Sequence, residues 1–359
     1  MTNMQEKQRN HELDAWRLVF AFVVLMLHTH GLNPEVPNYP FFGGYLAVEF
    51  FLMVTGYFTA RSAFSEAECM GSQIDVVSFM KRKFSPIYRA AVPAILLHYL
   101  AVGLVGRLSL YEIAKSLFFG IFEVLLLPAN GMYVTFHVLP VWYLSALVLI
   151  LPLFYYLLWK KPYLFQNILS PLSCFLIYGY IGAVWKHMDT WYHWAGIMYS
   201  ALPRAWAGLC LGVICYTISK KIAAENYRKW FSHLLSLVEL FCFGAAIKLM
   251  YSSAFSTLDY LTVFLLSVGV CILLSQKASI NRYFPKCAVL SEFSLFLYVS
   301  HWTVRMLVPI LLPEYSYYEC IVPYLICSVI YAAVLLLLTR ILASAHICQK
   351  LKKLILAPQ

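Results

Sequence analysis

Long apolar runs broken by short polar segments dominate this chain, and almost no stretch alternates with the period of two that marks a half-buried strand. The runs reach the roughly 20 residues that a helix needs to cross a bilayer. They predict spans over 13–31, 43–62, 86–106, 142–159, 164–185, 197–218, 231–250, 258–275, 289–311 and 320–343. Residues 109–127 are also apolar. Read as an eleventh span they would place every later Lys/Arg cluster on the wrong side, so they are expected to form one interfacial or re-entrant helix packed on protein. The fold class expected is an all-α polytopic membrane protein of about ten transmembrane helices plus that extra helix. Residues 1–12 form a cytoplasmic tail, 13–345 the transmembrane domain and 346–359 a basic cytoplasmic tail. The first run ends in HTHGLNP with no small-residue cleavage site, which predicts a retained anchor.

Composition agrees with this pattern. Of 359 residues 62% are hydrophobic and 12% charged, about half the charge of an ordinary soluble domain. The net charge of +10 does not point to nucleic acid, because Lys and Arg cluster between the apolar runs. Of the 27, eighteen fall on one side of the ten-span topology and four on the other, which by the positive-inside rule puts both termini in the cytoplasm. The ten cysteines form no C-x-x-C pair and lie mostly inside apolar runs, so neither a disulfide framework nor a metal site is expected.

The polar residues inside the runs carry the candidate chemistry. Arg17 and His28 share the first span. Eleven residues of helix bring them to within about 20° of one face and about 16 Å apart along the axis. Glu49, Arg204 and His301 lie at the same outer depth as His28, on spans two, six and nine, and the segment before span four brings His137 and Trp142 to that mouth. Ionisable groups at this depth need a protein-lined or aqueous cavity. An imidazole there can take a proton from a hydroxyl, a carboxylate can orient it, and cations can hold an anionic donor or an oxyanion. Each residue also has a structural reading: Arg17 and Arg305 as snorkelling helix ends, Glu49 and Arg204 as an ion pair, Ser294, Tyr298 and His301 as helix–helix contacts. The aromatic rings of the outer loops, Trp191 and Tyr192 among them, suit sugar stacking and suit a membrane-interface belt.

Five segments in order resemble the acyltransferase family 3 membrane proteins, bacterial O-acyltransferases of cell-surface glycans: LDAWR with ten residues to His28, AVEFFLMVTGYF, HVLPVWYLSAL, LPRAWAGLCLG and LSEFSLFLYVSHW. The family's cytoplasmic Arg-x-x-Arg departs here to KRKFSPIYR, with Pro86 in the place of the second Arg. The resemblance implies transfer of an acyl group, usually acetyl, from cytoplasmic acyl-CoA, a co-substrate with no resident cofactor, to a hydroxyl of an extracytoplasmic or lipid-linked polysaccharide at the inner membrane. On the matching positions it makes His28 the general base with Glu49 as its orienting partner. Arg17, Arg82 and Lys83 become donor contacts, and Arg204, His301, Trp142 and His137 acceptor or oxyanion contacts. A carrier or flippase for a glycan or small anion would use the same midplane charges, but the two halves of the chain show no repeat. A rarer acyltransferase would modify an antibiotic, lipid or peptidoglycan sugar instead.

Overall fold

The computed structural model describes residues 9–32, 39–69, 74–131, 138, 140–284 and 286–344. Among the described residues, ten long helices and one ten-residue helix build the bundle and its edge. They are α1 (His11–Leu27), α2 (Ala47–Cys69), α3 (Val76–Val105), α4 (Leu110–Phe119), α5 (Val141–Lys160), α6 (Pro162–Trp185), α7 (Ala201–Ala224), α8 (Lys229–Ser252), α9 (Leu258–Ser275), α10 (Val289–Leu311) and α11 (Tyr317–Ser344). Nine of the long helices are, among the described residues, long and apolar enough to cross a membrane. The tenth, α2, has the length at 23 residues, but Glu49 and Arg61 make it more polar than the rest. The described strands are a two-residue pair, β1 (Trp194–Ala195) and β2 (Met198–Tyr199).

Two helix starts differ from the hydropathy reading in ways that bear on the site. The third span was expected from residue 86, yet α3 begins at Val76, where the Asp75 side chain accepts from Ser78 N at 2.8 Å. Lys81, Arg82 and Lys83 therefore stand on a helix and not in a loop. At 30 residues the helix exceeds what a bilayer needs, and its first turns carry the cations clear of the apolar stretch. The sixth span was expected from residue 197, but α7 starts at Ala201 because 194–199 fold as the hairpin. The apolar segment after α3 does not form a span. Ser109 and Glu112 close a capping box on α4, which ends at Gly120 after ten residues. Its Ile113 packs on α3 while Leu110, Tyr111 and Phe118 are exposed, as an interfacial helix requires.

The packing at the centre is tightest between α2 and α7. A Cβ at Gly56 would stand 2.2 Å from the Leu209 carbonyl oxygen, and one at Gly212 would stand 2.2 Å from that of Met53. Only glycine lets two backbones approach so closely. Aromatic rings join this pair to α1 and α8: Phe20 stacks on Phe50 at 4.3 Å and Trp16 meets Phe243 at 4.4 Å. The start of α1, the ends of α2 and α9 and the start of α10 gather at one end of the bundle, called here the basic end. The end of α1, the starts of α2 and α5 and the α6–α7 loop gather at the opposite end.

Candidate active site

At the basic end a cavity of about 440 Å³ opens between α1, α2, α9 and α10. Asp14 organises it. This carboxylate, almost fully buried, accepts from Arg9 Nε at 2.6 Å and from Arg17 Nη1 at 3.3 Å. Arg17 also donates to Ser291 Oγ at 3.1 Å on α10. Arg61, from the last turns of α2, lines the same space. Three guanidinium groups against one carboxylate leave a positive cavity suited to a phosphorylated ligand.

At the opposite end a cavity of about 310 Å³ has His28 and His30 on one wall and Trp142, Trp191 and Asp189 among its other lining groups. The two cavities share no lining residue. The sequence reading set Arg17 and His28 on one helical stripe, but α1 ceases to be α-helical at Leu27 and tightens into a 3₁₀ turn, His28–Gly31. That turn points His28 against α10. Its ring lies 5.2 Å from that of His301, nearly parallel, and edge-on to Trp302 at 5.0 Å. His301 Nδ1 faces the Leu297 carbonyl at 3.1 Å. His28 Nδ1 and His301 Nε2 are both buried without a hydrogen-bond partner among the described residues. A buried imidazole nitrogen with no partner is costly to keep and is a group that a bound hydroxyl could satisfy.

Between the cavities three rings from different helices meet: Phe51 of α2, Tyr143 of α5 and Tyr298 of α10, with centroids 5.9 to 6.4 Å apart. Tyr298 lines the His28 cavity, and Tyr143 lies within electrostatic reach of Arg17. These rings link the two ends.

A family model described as an acyltransferase domain matches residues 10–344. The chain belongs to acyltransferase family 3. No curated protein and no solved structure matches it significantly. The family makes it a membrane acyltransferase, and the placement of each expected residue can be read on that basis.

In this acyltransferase Glu49 does not touch His28. Its Oε1 accepts from Arg204 Nε at 2.7 Å and its Oε2 from the Tyr178 hydroxyl at 2.6 Å, with both charged side chains wholly buried. Arg204 further donates to the Tyr45 carbonyl at 3.0 Å, and its guanidinium lies 5.3 Å from the Trp142 ring. The expectation that Glu49 orients His28 is therefore corrected, since both carboxylate oxygens are committed to an ion pair behind the cavity. Arg204 likewise does not line the cavity. It braces Trp142, which does, and which stacks on Trp191 at 6.0 Å. His301 does not line the cavity but lies behind two residues that do, His28 and Tyr298. Of the expected donor residues, Arg17 lines the basic cavity, whereas Arg82 and Lys83 do not. Lys83 is within electrostatic reach of Arg17, and Arg82 is exposed on α3. His137 lies outside the described residues.

The acyltransferase also places residues that the sequence reading did not single out. Arg9 and Arg61 were counted only as topology charges. Asp189 is the one carboxylate in the α6–α7 loop, and a lone acid among the aromatic residues of that loop was the available signal. Burial pushes the Asp189 carboxyl above the usual aspartate range, against the pull of Arg204.

Proposed function

We propose that the protein moves an acyl group, acetyl by preference, from acyl-CoA bound at the basic end to a hydroxyl of a saccharide bound beside His28. The saccharide is extracytoplasmic or lipid-linked, and the membrane is the bacterial inner membrane with both termini in the cytoplasm. The observation that carries this reading is the pair of cavities at opposite ends of α1, one ringed by Arg9, Arg17 and Arg61 and the other walled by His28. A donor with phosphates suits the first. An acceptor presented to a general base, beside two stacked indoles and a carboxylate, suits the second.

The reaction follows from these positions. His28 takes the proton of the acceptor hydroxyl as its oxygen attacks the thioester carbonyl carbon. The C–S bond of the tetrahedral intermediate breaks, the thiolate leaves on CoA and is protonated, and the ester stays on the saccharide. The pantetheine arm reaches the centre past Tyr143 and Tyr298. His301, stacked on His28, fixes the ring. The Glu49–Arg204 pair holds Trp142 in the acceptor wall. No resident cofactor enters these steps.

Radiolabelled acetyl-CoA tests the assignment in purified protein. His28→Ala is expected to bind the donor with turnover reduced by about 10²–10⁴-fold, the usual contribution of a positioned base, and Arg17→Ala to bind it poorly. Failure of acetyl-CoA and longer acyl-CoA alike to bind the wild type would remove the donor, and with it the enzyme mechanism. Transport in sealed vesicles would then be measured.

A further inference from the structure

Beside the donor cavity lies a second cleft of about 530 Å³, lined by Arg9, Lys277, Arg282 and Lys286 together with His11 and, among the described residues, by no carboxylate. It shares two wall residues with the donor cavity, Arg9 and Gln276, so the two spaces adjoin. Its floor is built and not merely a gathering of chain ends. The turn Ser279–Tyr283 is tied to α8 by Ser279 Oγ to His233 Nδ1 at 2.9 Å, Ser236 Oγ to Ser279 Oγ at 3.0 Å and Ile280 N to Ser236 Oγ at 3.1 Å. That turn presents Arg282, whose Nε donates to the Ser279 carbonyl at 3.0 Å. Lys277 is held by the Glu225 carbonyl at 2.9 Å. Gln276, at φ 57, turns the chain out of α9 and forms the partition between the spaces.

Resting on the acyl-CoA reading above, we propose that this cleft binds the 3′-phosphorylated nucleotide end of the donor, with Arg282 and Lys286 on the 3′-phosphate. The direction follows from depth. Arg17, Phe58 and Ser291 line the inner cavity on the way to Tyr143, so the thioester end enters there. The outer cleft, at the helix ends, is left for the nucleotide. Charge decides the class of phosphate. A phosphomonoester carries about −1.5 to −2 at neutral pH, twice the charge of the diester in a lipid headgroup. Arg9 is already paired with Asp14, and Lys277, Arg282 and Lys286, with no carboxylate among the described lining residues, match the higher charge. The KRK segment on α3, where the sequence led to an expectation of donor contacts, lines neither space. The α9–α10 loop supplies the cations instead.

The test uses the full chain in nanodiscs of zwitterionic lipid, with acetyl-CoA and acetyl-dephospho-CoA, which lacks only the 3′-phosphate. Wild type is expected to bind acetyl-CoA at least about tenfold more tightly, the factor that about 1.4 kcal/mol carries. Arg282→Gln/Lys286→Gln is expected to bind both at the weaker level, and adenosine 3′,5′-bisphosphate to compete in wild type and not in the variant. Lys160→Gln/Lys161→Gln removes two exposed charges elsewhere and is expected to keep the preference. Equal affinity of wild type for the two donors overturns the inference while leaving the donor reading in place. So does equal loss in the control variant. Absence of binding by either donor overturns both. Repeating the assay with phosphatidylglycerol discs separates a lipid site: if Arg282→Gln/Lys286→Gln changes only lipid retention, the cleft holds a headgroup and the inference falls.

Discussion

Replacing Glu49 by Gln asks whether the buried ion pair is structural support or part of the chemistry. Glutamine keeps the shape. Its oxygen can still accept from Arg204 Nε, which lies 2.7 Å from Oε1, and its amide can face a Tyr178 hydroxyl rotated to accept. The change is then chiefly the loss of one charge. Arg204 is wholly buried, one of its nitrogens lacks a partner among the described residues, and Glu49 is the carboxylate it contacts. Opposite charges about 4 Å apart attract by about 4 kcal/mol at an effective dielectric of about 20, and breaking a buried pair by removing one member costs about 3–5 kcal/mol. That is a shift of about 100- to 5,000-fold in the folding equilibrium. The assay is reversible unfolding of purified protein in mixed micelles, with acetyl transfer measured on the same samples below the transition. Glu49→Gln is expected to lose stability by that amount. Glu49→Gln/Arg204→Met, which removes both charges, is expected to recover most of it. A Glu49→Gln protein as stable as wild type but without turnover would refute the reasoning and return Glu49 to the catalytic step.

Gly212→Ala is expected to destabilise by at least about 1–3 kcal/mol, the usual range for overpacking, since its Cβ would stand 2.2 Å from the Met53 carbonyl oxygen. Gly244→Ala, with no neighbour within 4 Å, is expected to be neutral or stabilising by about 0.5–1 kcal/mol, and the same unfolding assay compares the two. Asp189 supplies a pH dependence. Its carboxyl is raised above the ordinary value of about 3.9, so acceptor affinity that needs the carboxylate is full at high pH. It falls as pH drops through the raised value, earlier than for an exposed aspartate. Asp189→Asn is expected to bind acceptor weakly with that dependence gone, and an unchanged profile in the variant would exclude the carboxylate from the acceptor site.

Hydropathy alone located nearly every membrane helix, because apolar runs of about 20 residues have few other stable states. The residues 258–275 and 289–311 coincide with α9 and α10 to the residue. The start of α3 was not legible: charges read as loop when a helix outruns the bilayer, and residue 86, where the expected span begins, lies inside the helix. Depth placed His28 and His301 at one level, and they do meet. Depth could not say which side chains face one another at that level. Glu49 and Arg204 are 155 residues apart, and their pairing depends on the rotation of α2 against α7, set by glycines whose partners are backbone atoms. The tightening of α1 at His28 left no mark that periodicity could read. Asp189 belongs to an irregular loop, where no period exists to assign a direction.

The glycine contacts between α2 and α7 divide the molecule mechanically. With Gly56 against Leu209 and Gly212 against Met53, these two helices move as one body, and the Glu49–Arg204 pair is a rivet through it. The two imidazoles ride on α1 and α10, outside that body. Under the proposed mechanism an arm passing from one end to the other meets Phe51, Tyr143 and Tyr298. Of these only Phe51 belongs to that body, so any opening is expected on the side of α5 and α10, against a wall that does not yield.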